Sequence, residues 1–205
     1  MKIGKLAWAN IRKSKSATAS LMLLIFIATM LLSTGISVIS RMSTFYDDKI
    51  EQLGDPHISI IAKQGHDKPD YATFFKNNAD VTAVETLPVL YVSGMKFRFG
   101  DTDLTNGAVF LNAGHDGAMS PPELVEKLAD VGQEDIFVSY GFKSSGGYAL
   151  GDTLTIAYRN QSIPFRIGGF FETTMMGTSN IGAVKFWLPE ASYMALADRL
   201  EDSAK

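Results

Sequence analysis

The chain contains no cysteine, which excludes disulfides and thiolate-held metals and leaves the redox compartment open. Histidine is scarce as well, with His57, His66 and His115 the full complement. No acidic residue occurs in the first 40 positions, which hold five bases. The remaining residues carry 14 bases against all 22 acids, so the small net charge of −3 conceals two opposite halves. A basic patch confined to the first fifteen residues suits an anionic membrane surface, and the acidic remainder argues against a nucleic-acid partner. The most informative gap lies between Lys15 and Arg41, where no charged side chain of either sign appears.

That uncharged stretch is rich in what membranes accept. Ala17 to Ser40 contains eleven Leu, Ile, Val or Phe residues, each favouring insertion by about 0.3–0.6 kcal/mol at the helix centre. As a helix its 24 residues extend about 36 Å, more than the ~30 Å of a bilayer's hydrocarbon core. A cleavable signal has an apolar region of only about 7–15 residues, so residues 17–40 are expected to stay as a transmembrane anchor. With the bases upstream, the N-terminus is expected to be cytoplasmic and residues from about 42 onward extracytoplasmic. Ile3, Leu6, Ala7 and Ile11 recur at helical spacing. Residues 1–16 therefore read as a basic interfacial helix or as a plain positive flank. Thr29, Ser33 and Ser37 fall on one helical face. They are candidates for packing against a partner helix, unless each hydroxyl only bonds its own preceding carbonyl.

Beyond the anchor, residues 41–55 are expected to continue as a stalk helix until Gly54-Asp55-Pro56 breaks it. The outer domain, 56–205, reads as α+β. "HISIIAK" and "VTAVETL" alternate like strands around a short helix at 71–78, giving a β-α-β start. "VLYVSGMKFRFG" reads as a strand-pair region and "GAVFLN" as a further strand. "SPPELVEKLADVG" reads as a helix capped by Ser120 with Glu123 at its third position. "DIFVSYG", "DTLTIAYRN", "IPFRIGGFFE" and "GAVKFWL" are strands, with a hairpin turn at Arg159-Asn160-Gln161-Ser162, and Pro189 opens a last helix.

Catalytic patterns are missing too. No G-x-x-x-x-G-K-[ST] phosphate loop and no G-x-S-x-G elbow occurs. "KSSGGYALG" (143–151) lacks the lysine such a phosphate loop needs and reads as a flexible turn. Ser93 and Lys96 fit an S-x-x-K spacing, but neither S-D-N nor K-T-G follows. His66, Asp67, His115 and Asp116 form two "GHD" triplets that could hold zinc, although solvated loops explain them with less coincidence. No catalytic, metal or cofactor residue is therefore expected, and no enzyme. In "GGFFETTMMGTSN", Phe170 and Phe171 are expected in the core, whereas Met175 and Met176 are candidate surface contacts for a peptide or lipid.

A basic "LAWANIRKSKSATASLMLLIFIATML", one span, an acidic stalk and an α+β outer domain resemble the start of ABC transporter permeases of the FtsX-like/MacB type. The likeness is most specific over 135–172, where Leu150 to Ile156 and Phe165 to Gly169 match an "LGDTLTI"-like strand and an "F-x-I-x-G" strand. The closing "KFWLPEASYMALAD" is similar to the strand and helix that lead back to a second span. The resemblance implies a permease half working with a second copy or homologue and with a separate cytoplasmic ABC ATPase subunit that carries the ATP. It further implies a MacB-like outer domain moved by the helices, and peptide, lipoprotein or other amphiphilic substrates. Three or more later spans are implied, so the chain is expected to be part of a longer permease. A self-sufficient membrane-anchored protein whose outer domain binds a ligand or partner is the alternative. An outer-surface hydrolase dependent on Ser93 is a distant third.

Overall fold

The computed structural model describes residues 15–62, 69–115, 123–177 and 182–202. Residues through Asp48 and residues from Lys49 form two compact units. The interfacial helix expected at 1–16 lies almost wholly outside the described residues, as do Ser120, His66, Asp67 and Asp116.

Helix α1, Lys15–Leu53, runs for 39 residues, about 58 Å at roughly 1.5 Å per residue. Among the described residues it is the one helix long and apolar enough to cross a membrane. Its side chains from Leu21 to Ile39 are exposed, with Leu31 at 68% and Ile39 at 73%. So continuous an apolar surface is what lipid would cover. Helix α1 ends where the sequence places the break. Gly54 adopts φ 61°, and the Gly54 and Asp55 amides donate to the Glu51 and Ile50 carbonyls at 3.3 and 3.1 Å. This Schellman cap satisfies two carbonyls of the last turn, and Pro56 prevents any continuation.

The second unit is a mixed seven-stranded sheet. After helix α2, Pro69–Lys76, come strands β1, Leu90–Phe99, and β2, Thr102–Asn112. Strands β3, Leu124–Lys127, and β4, Asp135–Ser139, follow, and then the short helix α3, Tyr140–Ser144. Strands β5, Thr153–Tyr158, β6, Gln161–Phe171, and β7, Ala183–Leu188, lead to the final helix α4, Glu190–Asp202. The order is β3-β6-β4-β7-β2-β1-β5, and an added β5–β6 pairing closes six strands into a ring with β3 outside it. Pairs β2–β7 and β4–β6 are parallel and the others antiparallel.

The ring is filled from every strand. Phe97, Phe110, Ile136, Leu154, Ile167 and Phe186 belong to one buried cluster, joined by Phe142 of α3 and by Tyr193 and Leu196 of α4. Phe186 touches three of its rings: Phe97 and Phe142 meet it edge-on at 5.9 and 5.7 Å, and Phe110 stacks on it at 5.3 Å. Such ring pairs add about 0.5–1.5 kcal/mol each beyond burial. Alternate residues Val109, Leu111, Phe137, Phe171 and Trp187 form a second cluster on the opposite face of β2, β4, β6 and β7. Burial on both faces explains why β4 and β7 read as largely apolar runs in the sequence, with Lys185 the one charge inside β7.

Several expectations need correction. "HISIIAK" forms no strand over 57–62; Ile58 and Ile60 are 75% and 66% exposed. Alternation makes a strand only where an edge is offered to pair with. "VTAVETL" likewise forms none, and Leu87 and Val89 instead pack irregularly onto the second cluster. The β-α-β start therefore reduces to its helix. "VLYVSGMKFRFG" yields a single strand, β1, with a bulge between Val92 and Met95. The capped helix expected in "SPPELVEKLADVG" is absent among its described residues, where 124–127 form β3. Leu124 and Glu126 are half-buried, Val125 and Lys127 exposed, and the segment pairs with Phe171, Phe170 and Gly169. A Cβ on Gly169 would stand 2.9 Å from the Glu126 carbonyl, so only glycine lets β3 approach this closely. The β5–β6 turn is shorter than expected: Tyr158 already faces Gln161, and Arg159 takes φ 53°.

Burial raises the phenol pKa of Tyr193 above its ordinary 10.0, and burial does the same for Tyr148. A raised folded-state pKa contributes stability that is complete below pH 10 and is lost as pH rises through the folded value. In an alkaline titration followed by tyrosinate absorbance, the last phenols to ionise should disappear in Tyr148→Phe and Tyr193→Phe. Stability should fall over that same interval.

Candidate functional site

A charged pair is buried where α1 ends. Asp55 is 5% exposed and Lys185, the one charged side chain in the apolar run of β7, is 6% exposed. Strand parity sends Val184 and Phe186 into the ring and Lys185 to the other face, beside Trp187 and Phe171. The Lys185 ammonium lies 3.5 Å from Oδ1 of Asp55 and 5.9 Å from the Phe171 ring centroid. Burial lowers its pKa, and the Asp55 carboxylate opposes that shift.

The other carboxylate oxygen of Asp55 gathers the loop after β6. It accepts from the Thr174 amide at 2.7 Å, the Thr174 hydroxyl at 2.8 Å and the Thr173 hydroxyl at 3.3 Å. Thr173 also donates to the Met175 carbonyl at 3.0 Å, and the Lys185 amide donates to the Met176 carbonyl at 2.8 Å. Lys49, one turn before the end of α1, pairs with Glu172 at 2.7 Å. Ile50 and Leu53 are buried beside these groups in sequence, worth about 1.5–3 kcal/mol each. One carboxylate thus joins three elements: the end of α1, residues 172–177, and β7.

The candidates from sequence fall in different places. Thr29, Ser33 and Ser37 are exposed on α1. The Thr29 hydroxyl bonds the Ile25 and Phe26 carbonyls, both at 2.9 Å, and Thr34 does the same to Met30. Met175 and Met176 are half-buried rather than open: Met176 packs on the second cluster, and Met175 accepts a weak contact from Ser59 at 3.9 Å. Met176 holds φ 57°, a conformation costing a side-chain-bearing residue about 1–3 kcal/mol. Phe170 and Phe171 are buried. Ser93 sits exposed at the β1 bulge with Lys96 exposed further along. His115 is exposed, and among the described residues no group of His, Asp and Glu is placed to hold a metal.

Gly54-Asp55-Pro56 reads from sequence as a helix break alone, with no hint there of the acid's partner. A signal for it exists. A lysine inside a two-sided apolar strand, in step with Trp187, requires a buried counter-charge.

No family model matches the chain, and no curated protein matches it. Among solved structures it is similar to the extracellular domain of a noncanonic ABC-type transporter, YknZ, from Gram-positive bacteria. The identity is 13% and the TM-score 0.37, over 64% of this chain and 65% of that one.

Proposed function

We propose that the chain is the N-terminal part of an ABC transporter permease subunit of the FtsX-like/MacB type. In this reading α1 anchors the protein with its N-terminus in the cytoplasm, and the α+β unit works outside the membrane. A separate cytoplasmic ATPase binds and hydrolyses ATP, a second permease copy completes the assembly, and the outer unit handles peptides, lipoproteins or other amphiphiles. The chain itself performs no catalysis and holds no cofactor. The observation that carries the reading is α1 itself. One helix contains both a long exposed apolar stretch and a last turn whose cap leads into the buried Asp55–Lys185 pair.

The test is purification of the intact gene product from its native membranes. A nucleotide-binding subunit should co-purify in fixed ratio, and protease added to intact cells should cut beyond residue 42. Recovery without any ATP-hydrolysing subunit would instead support the self-sufficient anchored protein. An outer unit spared by the protease would overturn the topology.

A further inference from the structure

We infer that Asp55 is a latch: a single carboxylate that makes the end of α1 and the Met175–Met176 turn open and close together. The inference rests on the transporter reading for the source of motion in α1. Its geometry is independent of that reading.

Three observations carry it. The Asp55 backbone belongs to the helix, because its amide closes the cap on Ile50 at 3.1 Å. Its side chain belongs to the loop, because Thr174 donates to it twice, at 2.7 and 2.8 Å. Nothing longer than one side chain separates the two, so a displaced cap withdraws the acceptor from Thr173 and Thr174 in the same step. Beyond Thr174, Met176 is held at φ 57° and bonded to the Lys185 amide. A turn kept in a sparsely populated conformation by its surroundings relaxes when they let go. Released, the two methionines would supply an adaptable apolar contact that the closed form keeps half-covered.

Coupling of this kind is reciprocal, so it can be driven from either side. The experiment is amide hydrogen exchange on the full chain in lipid nanodiscs, comparing the parent with Asp55→Asn and Thr174→Ala. Asparagine offers one acceptor oxygen where the carboxylate offers two, and alanine removes the hydroxyl donor. Expected is a rise of about tenfold or more at the residue 54 and 55 amides and at residues 174 and 175, in both variants. The β5–β6 hairpin amides should stay unchanged in Thr174→Ala, whereas in Asp55→Asn, which also strands the Lys185 charge, they rise by less than the residues at 54–55 and 174–175. Thr174→Ala is decisive, because the change lies in the loop and the readout lies in the helix cap. Acceleration confined to the mutated segment would overturn the latch. So would equal acceleration throughout the unit in Thr174→Ala, which leaves the charge pair intact and would then mark plain destabilisation. No ATPase is present, so this outcome stands apart from the co-purification that tests the transporter reading.

Discussion

Lys185→Met is expected to destabilise the outer unit by about 3–5 kcal/mol, because it leaves a buried carboxylate without its counter-charge. Asp55 is 5% exposed and held by bonds from Thr173 and Thr174. Asp55→Asn should cost a similar amount, since it strands the ammonium instead. The double variant Asp55→Asn with Lys185→Met should then be more stable than either single change. It removes both charges from a site that burial already penalises. Urea unfolding of all four proteins forms a double-mutant cycle with a large coupling energy. Additive single effects would show that the pair is incidental to the stability of this region.

Phe186→Ala is expected to cost about 3–5 kcal/mol, the usual range for deleting a buried phenylalanine ring. Phe186 is 0% exposed and meets Phe97, Phe110 and Phe142, so the space it leaves is bordered by rings from two neighbouring parts of the sheet and from α3. Those rings are pinned by their own strands and helix and cannot collapse inward together. Phe186→Leu should recover part of the loss because it refills some of the volume. Thermal unfolding followed by near-ultraviolet circular dichroism reports both stability and ring packing. A change below about 1 kcal/mol would mean that the ring interior repacks freely, contrary to the close packing of protein cores.

The sequence disclosed those features that local chemistry decides. The apolar run without charge, the Gly54-Asp55-Pro56 stop, α2, α4, the β5–β6 hairpin and the apolar strands β4 and β7 all carry their own signals. Errors arose where a distant partner decides. "HISIIAK" has strand alternation but is given no edge. The 124–127 segment has helix-compatible residues and a proline-led start, yet Gly169 opens a place for it beside β6. Register with β6 outweighs a few tenths of a kcal/mol of helix propensity per residue. The Asp55–Lys185 pairing depends on distance in the same way. Its members stand 130 positions apart, and while Lys185 inside an apolar strand signals a buried counter-charge, nothing local says which acid supplies it.

Hoop geometry has a mechanical result of its own. In an open sheet one strand can shear past its neighbour with the disturbance ending at the margin. Here β5 hydrogen-bonds to both β1 and β6, so slippage anywhere must be matched by slippage all the way round. A pull delivered to β7 is therefore expected to tilt the whole hoop as a rigid body, with strain gathering in the unpaired chain on either side of it.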